Sequence, residues 1–351
     1  MELILSGAWF GKKKLLKAEI KKVEFYESIE EVNLRNSFGF ILLSYELSSE
    51  TLNLNIKTTR MPRIVFVEIG KLIPFGKVFS KDVNIYPKGS ALTDEEFMEK
   101  INLVKEYIRK GDVYQLNLTN RFDYQLEGKP LDLFINFYIS QPVPFGFFLE
   151  LEDFYVMSGS MELFLEKRGN TLRSKPIKGT SVNPKYLRES EKERAENLMI
   201  TDMVRNDLGR VCKTGSVYVE KLFKVERFRT LYHLVSEVRG ETDKDFKEII
   251  LNTFPPASVT GAPKRRAVEV IDELEPFARG YYCGSGGILF PNGDFKLSVL
   301  IRTAVGSGER ISYFAGCGIV WDAIPEMEKD EMHLKKKAFK RAGERSSVLK
   351  G

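Results

Sequence analysis

The chain has 351 residues, of which 43% are apolar, 12% aromatic and 29% charged, values near the average of folded proteins and far from those of disordered, collagenous or coiled-coil chains. Lysine and arginine number 54 against 49 acids, a net charge of +5 with the signs interleaved along the sequence, which suits an anionic small substrate and excludes a nucleic-acid-binding arm. Three cysteines without C-x-x-C spacing and only two histidines exclude a disulfide framework, a zinc or iron-sulfur centre and histidine-based triads, so any chemistry falls to carboxylates and lysines.

No run approaches the roughly 18 apolar residues of a membrane span, and the basic cluster Lys12-Lys13-Lys14 follows the first apolar stretch instead of preceding it, the reverse of a secretory leader. A cytoplasmic protein that binds neither membrane nor nucleic acid is expected. In chain order, strands are expected at 39–47 and 63–70, separated by polar and basic connections. Thr93 with Glu96 forms a capping box, and Phe97, Ile101, Val104 and Ile108 follow at helical spacing, so a helix is expected over 94–110. Strands follow at 113–125, 145–151 and 154–160, with a hairpin turning at Gly169-Asn170. Further strands are expected at 216–228 and 231–240, and hairpins at Asn292-Gly293 and around Gly306–Gly308. Helices are expected at 187–209, 244–253, 263–274 and 325–347. Hairpins outnumber strand-helix alternations, which points to an α+β fold on antiparallel sheet and away from a doubly wound parallel one. The glycine-rich GSGGILFPNG leads into a strand and hairpin, the wrong context for a phosphate loop.

Glu193 and Glu196 stand three apart on one helix, and Glu328 and Glu331 repeat the spacing on the last one, with Lys335 a turn further along. Each pair projects from one helix face, about 5–6 Å apart at Cβ. Two readings are open: solvated faces, or carboxylates that hold a hard cation such as Mg²⁺ over a cavity. Lys178, between Pro176 and Gly179, is either a turn lysine or an amine whose burial frees it to act as a nucleophile. Ser258 to Lys264 runs into a helix through Pro263, either a simple cap or an anion site to which Thr260 adds a hydroxyl. Arg302 lies among apolar neighbours and needs a carboxylate partner, from protein or ligand. The stretch Ala315 to Ile319 permits close backbone approach to a ligand, or tight strand packing.

Taken together, GDVYQLNLTNRF (111–122), SMELF (160–164), PIKGT (176–180), AENLMITDMVRNDLGRV (195–211), HLVSEV (233–238), FPPASVTGAPKRRAVEVIDELEP (254–276), YYCGSGG (281–287), IRT (301–303), AGCGIV (315–320) and PEMEKDE (325–331) resemble the chorismate-utilising enzymes. The resemblance covers about 111–340, and implies two large packed antiparallel β-sheets flanked by helices, with residues 91–351 as the catalytic core and 1–90 as an abbreviated N-terminal region packed on the same fold. It implies Mg²⁺ on Glu196 and Glu331, supported by Glu193 and Glu328. It places Arg302, Tyr282 and the backbone at Gly316 and Gly318 around the pyruvyl carboxylate of chorismate, and Thr260, His233 and Lys335 around the ring carboxylate. Glu162 matches the general acid that assists departure of the C4 hydroxyl, although Met161 stands where the family has proline.

Two positions choose among the family's activities. Isochorismate and salicylate synthases carry a water-activating lysine where this chain has Gln115, and a neutral amide is not a base. Anthranilate synthases carry a small residue where Lys178 stands. The resemblance therefore implies attack of Lys178 on C2, loss of the C4 hydroxyl, and amination at C4 by ammonia to give 4-amino-4-deoxychorismate, on the route to p-aminobenzoate and folate. Ammonia is expected from a separate glutamine amidotransferase subunit. The chain stops at Gly351, directly after the last family helix, so no fused lyase is expected. The rival readings are ortho-amination to anthranilate and, from another class, a non-catalytic basic binding protein.

Overall fold

The computed structural model describes residues 1–34, 37–227 and 232–344, with only the backbone of Thr180. The expected strand ends at Phe228 and Leu231 and the helix end at 345–347 lie outside the described residues. Eighteen strands among the described residues form one hydrogen-bonded sheet. Its path runs from the hairpin Tyr218–Arg227/Tyr232–Glu241 through Thr171–Lys175, Leu163–Arg168, Phe295–Val299, Ser285–Leu289 and Gly39–Leu43 to Ile64–Pro74. There Ile64–Pro74 pairs with Leu16–Tyr26, and the path continues through Glu2–Leu5, Phe145–Glu150, Tyr155–Ser160, Thr303–Ser307 and Arg310–Ile319 to Gln115–Glu127 and Asn84–Ser90. Every pairing is antiparallel. The expected pair of packed sheets is thus one ladder, continuous through the two long strands 16–26 and 64–74 and doubled so that its halves face each other.

Strand alternation explains why both faces are buried. Phe40, Leu42, Val65 and Val67 point between the halves, where they meet Leu3, Leu5, Phe147 and Leu149, with the Phe40 and Phe147 rings 4.8 Å apart. Their neighbours Ile41, Leu43, Ile64 and Phe66 point outward, beneath Ile200, Val204 and Leu208 of the helix Glu191–Gly209. On the other outer face Leu116, Leu118 and Tyr313 pack under the helices Asp94–Arg109, Pro130–Ser140 and Pro325–Ala342. Apolar burial of this kind is worth about 1.5–3 kcal/mol for each large side chain.

Helix starts follow the sequence signals. Thr93 Oγ1 accepts from Glu96 N (3.2 Å) while Glu96 Oε2 accepts from Thr93 N (2.8 Å), completing the expected box. The helix expected over 187–209 is two, Pro184–Glu189 and Glu191–Gly209, divided at Ser190, whose Oγ accepts from Glu193 N (3.3 Å) and caps the second. The helix Pro130–Ser140 and the strands 2–5, 16–26 and 84–90 were not expected from the sequence. Among the described residues no helix is long and apolar enough to cross a membrane.

Candidate active site

The site forms where the far ends of the doubled sheet meet. Lys178 lies on the short strand Ile177–Ser181, opposite Leu234, and a register shift follows it before Thr180. Gly179 makes that shift possible: its φ is +80°, and a Cβ there would stand 2.8 Å from Glu193 Oε2. The lysine crosses to the opposing half of the sheet, so that a Cβ built on Gly318 would stand 2.9 Å from Lys178 Nζ and 2.6 Å from Gln115 Nε2. Gly318 is thus bare because an amine and an amide occupy the space over it. Gln115 is buried to 1% exposure, and its Oε1 has no hydrogen-bond partner among the described residues, a costly arrangement unless a donor joins it.

Glu162 is 4% exposed and sits on the Lys178 side of this space. Burial pushes its carboxyl up from 4.5 to about 7, against the opposing pull of Ser258, Lys178 and the Ile177 backbone. Where the family has proline, Met161 is packed at 6% exposure. Ser160 fixes the turn instead, its Oγ accepting from Glu162 N (3.3 Å) and donating to the Val299 carbonyl (2.6 Å).

The two acidic helices face each other beside Lys178. Burial, then Glu196 and Glu331, hold the Glu193 carboxyl above the usual range, and burial, then Glu331, do the same for Glu328. Glu331 is lowered, chiefly by Lys335, whose Nζ lies 2.6 Å from Glu331 Oε1 and donates to the Gly316 carbonyl (2.7 Å). Lys192 Nζ stands 3.6 Å from Glu328 Oε1. Among the described residues, ligand atoms of Glu328, Glu331 and Cys317 fall within 4.8 Å of one another. The Cys317 thiol is pushed up to about 12 by burial and bonds the Glu328 carbonyl (3.1 Å), so it offers no thiolate. What remains is a set of hard oxygen donors whose mutual repulsion a hard dication relieves, and the cluster therefore fits Mg²⁺.

Arg302 adopts a left-handed backbone, φ +53°, which costs a non-glycine residue about 1–2 kcal/mol. Its guanidinium bonds the Tyr313 hydroxyl, and no carboxylate among the described residues pairs with it. His233 is buried nearby, lowered from 6.5 to about 4 by burial and then by Arg302, so the imidazole is neutral at pH 7. Thr260 Oγ1 is spent on the carbonyls of Pro256 (3.1 Å) and Ala257 (3.2 Å). The Tyr282 ring stacks on Phe314 (5.1 Å) in the apolar core, and burial holds its hydroxyl well above the usual phenol range, with the Tyr313 phenol among the groups that act on it.

A buried ion pair absent from the sequence reading braces the floor of the site. Glu275 and Arg279, each 1% exposed, pair at 2.7 Å. Arg279 also donates to the carbonyls of Asn117 (2.7 Å) and Val259 (2.8 Å), and Glu275 Oε1 accepts from Thr119 N and Oγ1 (both 2.8 Å). The strand of Gln115 and the loop of Thr260 are thereby tied together. Spacing carries a hint of it, since 275 and 279 are four residues apart, though Glu275 already caps the C-terminus of the helix Lys264–Leu274.

Comparison with known proteins adds identity to this geometry. Residues 73–341 match the family model described as chorismate binding enzyme. The chain is 38% identical over 280 residues to anthranilate synthase component 1 of Aquifex aeolicus, covering 76% of this chain and 57% of that protein. It is also 38% identical over 266 residues to aminodeoxychorismate synthase component 1 of Bacillus subtilis, covering 72% of this chain and 57% of that protein. The chain thus spans little more than half the length of either relative. The crystal structure of anthranilate synthase component I from Streptococcus pneumoniae superposes with a TM-score of 0.76 at 27% identity, over 90% of this chain and 83% of that one.

Proposed function

Because the chain belongs to the family of chorismate-binding enzymes, we propose that it converts chorismate and ammonia to 4-amino-4-deoxychorismate, with Lys178 as covalent nucleophile. The observation that carries this reading is the convergence of Lys178 Nζ and the Gln115 amide over Gly318, beside a Glu162 carboxyl that holds its proton to about pH 7.

Arg302 is partly buried and meets no carboxylate among the described residues, so an anionic group of the substrate is its natural partner. Neutral His233 and the Gly316–Gly318 backbone border the same space. Glu196 and Glu331, with Glu193 and Glu328 behind them, would hold a Mg²⁺ ion, which would supply positive charge to offset a substrate carboxylate. The Lys178 amine forms a bond to C2, the two ring double bonds each shift one position, and the C4–O bond breaks as Glu162 gives its proton to the departing hydroxyl, which leaves as water. Ammonia then bonds to C4, the double bonds shift back, and the C2–N bond breaks. The proton lost by the new amino group balances the one Lys178 regains, and a water-borne proton restores Glu162. Gln115 cannot take a proton from water, so hydrolytic attack at C2 is disfavoured.

The ammonia source we propose is a separate glutamine amidotransferase subunit, in keeping with relatives named as component 1 of their enzymes. Ortho-amination to anthranilate is the second reading, favoured by the equal identity to an anthranilate synthase component and opposed by Lys178. Incubation with chorismate, Mg²⁺ and ammonium, with NMR of the product, separates them: 4-amino-4-deoxychorismate is expected, and anthranilate or isochorismate as main product would overturn the assignment.

A further inference from the structure

We infer that Lys192 is a built-in counter-cation of the carboxylate cluster, bridging the two acidic helices through Glu328 and giving way to a divalent ion that binds there. The inference rests on the reading of the cluster as a Mg²⁺ site. The Glu328 side chain is 5% exposed, and a buried carboxylate without a partner is strongly unfavourable. The cations nearby are already committed. Lys335 is held by Glu331 and the Gly316 carbonyl, and Lys178 is packed over Gly318. Lys192 alone among them reaches across from the helix of Glu193 and Glu196 to the helix of Glu328 and Glu331.

The geometry makes this contact easy to break. At 3.6 Å it is an ion pair without a good hydrogen bond, and the Lys192 side chain is 49% exposed, so the ammonium can swing into water. A dication on the same carboxylates would place two positive charges beside a third, and at such distances repulsion exceeds the gain from a single half-exposed pair. Lys192 then does two things: it offsets the Glu328 charge when no ion is bound, and it weakens ion binding by competing for Glu328.

Mn²⁺ is the probe, added to the full chain without chorismate, with free Mn²⁺ counted by EPR. Lys192→Met and Lys192→Gln are expected to bind Mn²⁺ roughly five- to twentyfold more tightly than the unaltered protein. They should melt a few degrees lower without divalent ions, and at the same temperature once saturated. Lys192→Arg should behave as the unaltered protein. Equal or weaker Mn²⁺ binding in both neutral variants would overturn the proposal, and so would full Mn²⁺ binding by Glu331→Gln, which would remove the cluster as the site. Since chorismate is absent, an unexpected amination product would leave this result untouched, and the two failures are distinguishable.

Discussion

Replacing Glu162 by glutamine tests the site through stability as well as rate. The carboxyl is raised from 4.5 to about 7, and at about 1.4 kcal/mol per unit this amounts to about 3 kcal/mol. The raised value means that the folded protein keeps this proton where the unfolded chain has lost it. The group's contribution to stability is therefore whole below pH 4.5 and is lost as the pH rises to about 7. Because the side chain is 4% exposed, solvent screening removes little of it. Glu162→Gln keeps the shape and has nothing to ionise. Its stability relative to the unaltered protein should therefore improve by about 2–3 kcal/mol between pH 5 and pH 8. Urea denaturation of both proteins at the two pH values, followed by tryptophan fluorescence, measures the difference. A gap between the two proteins that stays constant within about 0.5 kcal/mol would refute the burial argument. The same variant should lose about 10²- to 10⁴-fold in turnover, since an amide cannot protonate the leaving hydroxyl.

Other consequences follow from single contacts. Gly318→Ala puts a methyl 2.6 Å from Gln115 Nε2 and 2.9 Å from Lys178 Nζ; turnover should fall about 10²-fold, while calorimetry finds a melting temperature within a few degrees of the original. His233, lowered to about 4, stabilises the fold fully above its ordinary 6.5 and loses that contribution as the pH falls towards 4, so its ring proton NMR shift should stay flat from pH 8 down to about 5. Arg279→Met strands a buried Glu275 and should cost about 3–5 kcal/mol in urea denaturation. The double variant Glu275→Met/Arg279→Met should cost less than the sum of the single changes, and strict additivity would show that the two residues do not act as a pair.

Local chemistry made much of this protein legible from sequence. The Thr93–Glu96 box, the hairpins at Gly169-Asn170 and Asn292-Gly293, and the two pairs of glutamates depend on neighbours within four residues, where spacing fixes geometry. The strand Leu16–Tyr26 was hidden because its outer face is mostly lysine and glutamate and only Leu16 and Ala18 are buried. The helix Pro130–Ser140 was hidden for the opposite reason: Leu133 to Phe137 are all buried, so its apolar residues show no stripe. What the sequence could not reveal depends on distant pairing. Lys178 meets Gln115 only because the doubled sheet brings residues 177–181 against 310–319. Lys192 carries no local signal, since its partner lies on a helix 136 positions further along.

The most direct measurement is of the Lys178 side chain itself. The protein is incubated with chorismate and Mg²⁺ without ammonia, quenched in acid and digested, and its peptides are weighed by mass spectrometry. The peptide containing Lys178 should gain the mass of chorismate less one water, and ammonium added before the quench should discharge it. An unmodified Lys178 peptide in protein that goes on to make 4-amino-4-deoxychorismate would contradict covalent catalysis by this lysine.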